Sequence, residues 1–258
     1  MQKYTANKNF GQHFLKDKSV IQKIIKTIPM EAEVIFEIGP GTGAITFPLK
    51  ERQEKTPYYL FEKDDRFAEI YKEGFHVNLV DAVKFDFNKF IQENKLKNIF
   101  LVSNLPYNVG SVIYTNLLPI QEIRWMCLMF QKEVGEKTLL NKEDKLSSLS
   151  FLTTNYLVPK KISLVPPGCF SPPPKVNSIV NFYTRKSETL LPDLNFNQIE
   201  HYVRKLFLHP RKTLRGKLGK EFKQFKTEGS FLSEFAGQRA EDLSVTEIQK
   251  IINEMHSN

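Results

Sequence analysis

The sequence predicts an α/β fold, an open and mostly parallel sheet with helices, followed by a small all-α C-terminal domain. Between residues 34 and 183, short apolar strands alternate with helical segments, as in βαβ units. From residue 196 onward, apolar residues recur at helical spacing instead. We therefore expect residues 1–185 to form the α/β domain and residues 186–258 a separate, basic helical domain.

The α/β domain is organised around the stretch from Val34 to Gly43. The β-branched and aromatic run Val34–Ile38 is followed by glycines at positions 39, 41 and 43 and by the amphipathic segment 44–49. This pattern predicts a buried strand, a tight turn and a helix. Glycine lets a ligand approach the backbone, and the helix N-terminus offers unpaired N–H groups. The spacing differs from the dinucleotide fingerprint and favours a nucleoside-like ligand without a pyrophosphate, although a simple tight turn is the alternative.

Acidic residues end the next two predicted strands. Glu62 follows the strand that begins at Tyr58, and Asp81-Ala82 follow Val77–Val80. In an open parallel sheet, ligands bind at the carboxyl ends of the strands, and a carboxylate about 20 residues after the glycine turn suits ribose hydroxyls. We expect Glu62 and Asp81 to converge with the glycine turn on one edge of the sheet. Asp81 alone also fits a helix cap.

The fourth predicted strand, Ile99–Val102, leads into Asn104-Leu105-Pro106-Tyr107. Proline fixes an extended turn and has no N–H, so nearby carbonyl groups point outward. An amide, exposed carbonyls and an aromatic ring together can accept hydrogen bonds from an exocyclic amine and stack on its ring. The tetrapeptide therefore predicts a socket for a flipped-out adenine or cytosine; a structural turn is the alternative.

Aromatic and proline-rich segments flank these strands. Residues 8–15 precede a helix capped by Asp17, and we interpret them as a lead-in segment that folds over the ligand. The alternative is that Phe10 and Phe14 only attach the N-terminus to the hydrophobic core. Residues 166–178 form a stiff, proline-rich loop between two apolar strands. We expect this loop to supply Phe170 as a second aromatic wall of the base socket and Lys175 as a contact to a nucleic-acid phosphate. The alternative is that the loop is only a rigid connector between the strands.

The net charge of +8 is unevenly distributed, with six lysines against Asp17 between residues 3 and 26 and a denser basic run near the C-terminus. Between residues 204 and 226 Glu221 is the only acid, against nine basic residues: Arg204, Lys205, Arg211, Lys212, Arg215, Lys217, Lys220, Lys223 and Lys226. Such a run indicates binding to a polyanion, most simply RNA or DNA, unless it is only a solvated helix face. We expect a nucleic-acid partner for this segment.

The composition narrows the class of protein further. The two cysteines, Cys127 and Cys169, lie far apart and outside any zinc-like spacing, which favours free thiols in a reducing cytosol and no metal. No signal peptide or membrane-length apolar run is evident. We therefore expect a globular, cytoplasmic and monomeric protein.

Taken in order, the motifs resemble the KsgA-type family of ribosomal RNA adenine dimethyltransferases over nearly the whole chain. The stretches that carry the resemblance are Phe10-Gly-Gln-His-Phe-Leu15, Glu37-Ile-Gly-Pro-Gly41, Glu62, Asp81-Ala82, Asn104-Leu-Pro-Tyr107, Gln131-Lys-Glu-Val134, the loop from Phe170 to Ser178, and Arg211-Lys-Thr-Leu214. The resemblance implies a Rossmann-like S-adenosylmethionine-dependent methyltransferase sheet. It also implies dimethylation at N6 of two adjacent adenosines in the 3′-terminal hairpin loop of 16S rRNA, in the small ribosomal subunit.

The same resemblance implies roles for individual residues. The cofactor-binding residues it implies are His13, Leu15, Gly39, Gly41, Glu62, Lys63, Asp81, Ala82 and Asn104. The target base would be held by Asn104, Leu105, Pro106, Tyr107 and Phe170. RNA would be bound by Lys175, Arg204, Arg211, Lys212 and Arg215.

Four residues depart from the family pattern, namely His209, Pro210, Asn177 and Lys137. These departures bear on how the protein binds RNA. Three alternative functions stay open at this point. They are a resistance-type 23S rRNA adenine methyltransferase, a non-catalytic RNA-binding assembly factor, and a nicotinamide oxidoreductase, which the glycine spacing disfavours.

Overall fold

The computed structural model describes residues 5–7, 11–71, 73–140, 144–220, 222 and 230–257. Residues 8–10 of the lead-in segment, including Phe10, lie outside this part of the chain, as do Glu221, Lys223 and Lys226 of the basic run. The described strands are Phe14–Leu15 (β1), Val34–Ile38 (β2), Tyr58–Glu62 (β3), His76–Leu79 (β4), Ile99–Asn104 (β5), Ile123–Gln131 (β6), Leu157–Val165 (β7), Phe170–Ser171 (β8) and Ser178–Arg185 (β9).

Seven of these strands form one sheet, in the order β4-β3-β2-β5-β6-β9-β7. The strands from β4 to β6 are parallel, and β9 runs antiparallel to β6. The strand β2 pairs with β3 on one side and β5 on the other, which explains why every residue from Val34 to Ile38 is buried. The chain order reverses beside β2, and ligands of open α/β sheets bind at such a switch point.

The described α-helices are Lys18–Ile25 (α1), Thr46–Arg52 (α2), Phe87–Glu93 (α3), Gly110–Leu117 (α4), Lys132–Glu136 (α5), Ser148–Tyr156 (α6), Phe196–Phe207 (α7), Leu214–Leu218 (α8), Phe231–Glu234 (α9) and Val245–Ser257 (α10). The predicted cap of α1 is confirmed, since the Asp17 carboxylate accepts hydrogen bonds from the N–H groups of Ser19 and Val20. Within the described residues, no helix has both the length and the apolar character that crossing a bilayer requires.

The elements differ from the sequence predictions in several places. The sequence predicts a helix over Phe67–Tyr71, and the structure has a 3₁₀ helix, Asp65–Tyr71. The sequence also predicts a helix over Arg211–Leu218, and this helix begins at Leu214 because the Thr213 hydroxyl caps it. Helix α6 was not predicted; it continues directly into β7 with no loop between the two elements.

The lead-in segment is tied to the proline-rich loop by a second, two-stranded sheet. Phe14 and Leu15 of β1 pair antiparallel with Ser171 and Phe170 of β8. The N–H of Lys16 extends this pairing by donating to the carbonyl oxygen of Cys169 at 2.8 Å. The pairing therefore fixes the end of the lead-in segment next to the sheet.

The chain divides into two compact units. The first comprises Met1–Glu136 and Pro159–Arg185, and the second comprises Lys137–Val158 and Lys186–Asn258. The second unit thus contains α6 in addition to the C-terminal helices. The division expected from sequence assigned residues 137–158 to the first domain, and that division remains a prediction.

Candidate active site

A cleft of about 280 Å³ lies at the carboxyl ends of the parallel strands. The lead-in segment, the glycine turn after β2 and the ends of β3, β4 and β5 surround it. The cleft brings together twelve of the residues singled out from sequence: His13, Leu15, Gly39, Gly41, Glu62, Lys63, Asp81, Ala82, Asn104, Leu105, Pro106 and Tyr107. The convergence expected from the strand order is therefore present.

The glycine turn has a backbone that other residues rarely adopt. Gly39 and Gly41 have φ values of +66° and +54°, in the left-handed region. A Cβ atom added at Gly41 would lie 3.3 Å from the Phe14 ring, whereas one added at Gly39 would meet no protein atom within 4 Å. The absence of a side chain at Gly39 therefore leaves open space in the wall of the cleft, where a ligand can approach the backbone.

Glu62 places a carboxylate beside this turn. One of its oxygens, Oε1, accepts the N–H groups of Lys63 at 2.8 Å and Asp64 at 2.9 Å, and Oε2 accepts that of Gly41 at 3.1 Å. Since a carboxylate has about four acceptor sites, one site on Oε2 remains for another donor. Burial raises the pKa of Glu62 despite these hydrogen bonds. The side chain is thus a desolvated acceptor suited to a hydroxyl group.

Asp81 carries a second carboxylate at the end of β4. Its Oδ2 lies 2.9 Å from Nζ of Lys63, and its Oδ1 accepts the N–H of Val83. The hydrogen bond from Lys63 is the main reason that the pKa of Asp81 is lowered, so this side chain is an anion at neutral pH. The buried Ala82 beside it adds an apolar surface to the cleft.

Asn104 ends β5 with one half of its amide unsatisfied. Its Nδ2 donates to the carbonyl oxygen of His13 at 3.0 Å, while Oδ1 is buried and has no partner among the residues that the structure describes. Leaving a buried acceptor unpaired costs about 1–3 kcal/mol. An orphaned acceptor in a cleft therefore indicates a place for a ligand that donates a hydrogen bond.

Tyr107 presents the aromatic ring of the predicted socket. Its hydroxyl group is 2.5 Å from Oγ of Ser178, and burial raises the pKa of this hydroxyl, which therefore stays protonated. The ring stacks on the imidazole of His13, with centroids 5.4 Å apart and planes at 27°. His13 in turn bonds through Nδ1 to the carbonyl oxygen of Pro172 at 2.8 Å. The ring next to Tyr107 is thus supplied by the lead-in segment.

Phe170 does not line the cleft, contrary to the sequence-based expectation of a second aromatic wall. Its side chain is 1 % exposed and belongs to the hydrophobic core, which also includes Leu15, its partner in the β1–β8 pairing. The pairing buries the ring because β8 is held against β1. In this structure Phe170 supports the lead-in segment rather than contacting a base.

The cleft contains one buried acid, Glu37, for which no role was predicted. This residue lies in the middle of β2, is 2 % exposed, and its Oε2 accepts the hydroxyl of Tyr58 at 2.5 Å. Burial raises the pKa of Glu37 to about 7. The signal available in the sequence was an acid inside an otherwise apolar strand, which is rare without a partner.

The predicted RNA-binding residues lie in both units. Lys175 is exposed in the first unit, and Arg204, Arg211, Lys212 and Arg215 are exposed in the second. The guanidinium of Arg215 lies over the ring of Phe222, 5.6 Å from its centroid. One member of the basic run has a structural role instead: Lys217 donates to the carbonyl oxygen of Leu206, and burial lowers its pKa.

The described part of the chain contains no cluster of His, Cys, Asp and Glu side chains that could hold a metal ion. Both cysteines are free and buried. The residues that line the cleft supply hydrogen-bonding groups and aromatic surface.

The whole chain is similar to one family of known proteins. The family model described as ribosomal RNA adenine dimethylase matches residues 3–257. The chain is 33% identical over 261 residues to the ribosomal RNA small subunit methyltransferase A of Shewanella loihica, covering 98% of this chain and 95% of that protein. It is 31% identical to the protein of the same name from Nitrosomonas europaea, covering 99% of both.

Two solved structures share the fold. A dimethyladenosine transferase from Plasmodium falciparum superposes with a TM-score of 0.75 at 23% identity, covering 95% of this chain and 98% of that one. The 23S rRNA methyltransferase ErmE superposes with a TM-score of 0.69 at 21% identity, covering 94% and 99%. These likenesses agree with the Rossmann-like methyltransferase sheet expected from the sequence.

Proposed function

The chain belongs to the ribosomal RNA adenine dimethylase family and is thus an S-adenosylmethionine-dependent rRNA methyltransferase, and we propose that its substrate is 16S rRNA in the small ribosomal subunit. The proposed targets are two adjacent adenosines of the 3′-terminal hairpin loop, each dimethylated at N6. The proposal includes action in the cytoplasm, as a monomer without metal, and a role in subunit biogenesis.

The observation that carries the proposed chemistry is the unpaired Oδ1 of Asn104. This buried acceptor lines the same cleft as the glycine turn and the Glu62 carboxylate. An exocyclic amine is a hydrogen-bond donor that satisfies it, and adenine carries such an amine at N6. The donor of the methyl group and its acceptor would therefore meet at one edge of the sheet.

The cleft has the features that S-adenosylmethionine requires. The open space at Gly39 admits the methionine part, the free acceptor site on Glu62 suits a ribose hydroxyl, and Asp81 with Ala82 suits the adenine. When bound, the cofactor would supply an electrophilic methyl group for attack by N6, with a neutral thioether as the leaving group, and N6 would lose a proton after the transfer.

The protein supplies position and polarity for this transfer. The amine of adenine is a poor nucleophile because its lone pair is delocalised into the ring. Hydrogen bonds from the amine to Asn104 Oδ1 and to the Leu105 or Pro106 carbonyl would localise that pair and favour the transition state. Tyr107 would stack on the base, an interaction worth about 1–3 kcal/mol. No general base with a shifted pKa is needed, because a methylated, cationic amine releases its proton readily.

The exposed cations of both units support an RNA substrate. Lys175 is exposed in the same loop as Pro172, the hydrogen-bond partner of His13, and would bind a phosphate near the target base. Arg204, Arg211, Lys212 and Arg215 of the second unit would neutralise phosphates of the same RNA. These four cations would give the proposed domain 186–258 a role in RNA binding.

The test is a labelling experiment with defined particles. Purified protein is incubated with tritiated S-adenosylmethionine and either unmethylated small subunits or large subunits, and the nucleosides are then separated. We expect label in N6,N6-dimethyladenosine from the small subunit alone. Label in large-subunit RNA instead would support the 23S alternative, and absence of label together with tight RNA binding would support the non-catalytic assembly factor.

A further inference from the structure

We infer that Asp64 and Arg66 are positioning residues, which hold the lead-in segment in place as one wall of the cofactor cleft and couple it to Glu62. Neither residue was singled out from the sequence. The inference rests on the proposed function only in taking S-adenosylmethionine as the ligand of the cleft. We call the group formed by Asp64, Arg66 and Gln12 the latch.

The centre of the latch is the Asp64 carboxylate, which is 3% exposed. It accepts hydrogen bonds from Nε2 of Gln12 at 2.7 Å and from Nε and Nη2 of Arg66 at 2.8 and 2.5 Å. The hydrogen bonds from Arg66 are the main reason that its pKa is lowered. The carboxylate is therefore ionised at neutral pH, and it accepts hydrogen bonds from two separate segments of the chain.

Arg66 continues the latch toward the N-terminus. Its Nη1 donates to the carbonyl oxygen of Thr5 at 3.2 Å, and its Nη2 lies 3.4 Å from Oε1 of Gln12. The same Gln12 oxygen accepts the N–H of Asn7 at 2.8 Å. Both ends of the Gln12 amide are thus bonded, and its side chain has one defined orientation.

The latch connects to both sides of the cleft. The N–H of Asp64 donates to Oε1 of Glu62, so the turn that carries the latch also carries the proposed ribose-binding carboxylate. On the other side, Gln12 precedes His13, whose carbonyl oxygen accepts the amide of Asn104. Residues 11–15 line the cleft directly. The position of this wall therefore depends on where Gln12 is held.

The wall is anchored differently on its two sides. From Phe14 onward, the pairing of β1 with β8 fixes the chain. On the N-terminal side, the described bonds from residues 5–12 to the turn after β3 are those made by Asp64 and Arg66. Replacing Asp64 or Arg66, neither of which lines the cleft, would loosen the wall without removing any group that touches the cofactor. We therefore expect faster cofactor release, with the chemical step largely preserved.

The experiment compares two latch variants with two charge-matched controls. Asp64→Asn and Arg66→Gln weaken the latch, while Asp65→Asn and Arg52→Gln remove the same charges from exposed side chains outside it. The dissociation constant of S-adenosylmethionine is measured by calorimetry, and KM and kcat by methyl transfer to small subunits. We expect the latch variants to raise both the dissociation constant and KM for the cofactor about tenfold, with kcat within twofold and the controls unchanged.

A third variant keeps the latch testable if Asp64→Asn or Arg66→Gln fails to fold. Gln12→Ala removes the lead-in side of the latch and leaves the Asp64–Arg66 pair intact, and we expect it to weaken cofactor binding to a similar extent. The double variant Gln12→Ala/Arg66→Gln should bind the cofactor little more weakly than either single variant, since both changes release the same segment.

The outcomes separate the inference from the proposed function. Wild-type affinity in Asp64→Asn, Arg66→Gln and Gln12→Ala overturns the inference alone, as does an equal loss in Asp65→Asn. A fall in kcat with an unchanged KM also overturns it, because a positioning role in cofactor binding predicts the opposite split. If the wild-type protein itself fails to bind S-adenosylmethionine, the proposed function and the inference both fail.

Discussion

The side-chain Nδ2 of Asn104 donates a hydrogen bond to the carbonyl oxygen of His13, 3.0 Å away. This bond joins the end of β5 to the lead-in segment and fixes which way the amide faces. The other half of the amide, Oδ1, is left buried without a partner in the described part of the chain. One interaction therefore explains both the closure of the cleft and the presence of an acceptor for a ligand.

Replacing Asn104 with alanine should impair catalysis more than cofactor binding. The acceptor for the target amine disappears, and the loss of one such preorganised hydrogen bond lowers kcat by about 100-fold. The measurement is single-turnover methyl transfer with saturating cofactor. Asn88→Ala, on the exposed face of α3, is the matched control and should retain wild-type rates. A wild-type rate in Asn104→Ala would exclude the proposed socket.

Glu62→Gln should weaken the binding of S-adenosylmethionine while sparing RNA affinity. The change removes the negative charge that makes the free acceptor site on Glu62 strong. Because a hydrogen bond to a charged group contributes about 1.5–3 kcal/mol, the dissociation constant of the cofactor should rise roughly 10- to 150-fold. Calorimetry with the cofactor measures this. The exposed Glu51→Gln serves as control. An unchanged cofactor affinity would contradict the ribose assignment.

Two substitutions at Tyr107 separate the role of its ring from that of its hydroxyl. Tyr107→Phe keeps the ring and loses the bond to Ser178, so kcat/KM for RNA should stay within about threefold of wild type. Tyr107→Ala loses the stacking surface, worth about 1–3 kcal/mol, and kcat/KM should fall roughly 5- to 150-fold. Equal losses in both variants would show that the hydroxyl, and not stacking, matters.

The architecture of the cleft is predictable from sequence because it depends on local patterns. Strand ends are marked by the change from apolar residues to glycine, acid or proline, and parallel strands bring those ends together. For this reason the amino-acid sequence alone places Gly39, Glu62, Asp81 and Asn104 on one edge of the sheet, where all four line the cleft.

What the sequence did not indicate depends on contacts between distant residues. The burial of Phe170 follows from the pairing of β8 with β1, more than 150 residues earlier in the chain, and no local pattern encodes that register. The Asp64–Gln12 bond also joins residues far apart in sequence, 52 positions from each other, and within the local run of charged residues Asp64 resembles its exposed neighbour Asp65.

Neutralising three cations of the second unit should reduce the salt dependence of RNA binding. Arg211, Lys212 and Arg215 are exposed, and each phosphate contact contributes about 0.7 to the slope of log K against log salt for single-stranded RNA. Changing all three to glutamine should lower the slope by about 2. The control changes three exposed lysines of the first unit, Lys55, Lys95 and Lys97. If both triple variants show the wild-type slope, the basic run faces solvent.

Glu37→Gln should flatten the pH dependence of stability of the cofactor-free protein. Burial raises the pKa of Glu37 from 4.5 to about 7, so between these values the folded protein holds a proton that the unfolded chain releases. Stability therefore falls as the pH rises through this window, by about 2–3 kcal/mol between pH 5 and pH 8. Glutamine does not titrate and still offers the Tyr58 hydroxyl an acceptor. Denaturant unfolding at both pH values measures the effect, and Glu51→Gln, exposed in α2, should follow the wild type. A constant difference between wild type and Glu37→Gln across this range would mean that Glu37 is ionised throughout.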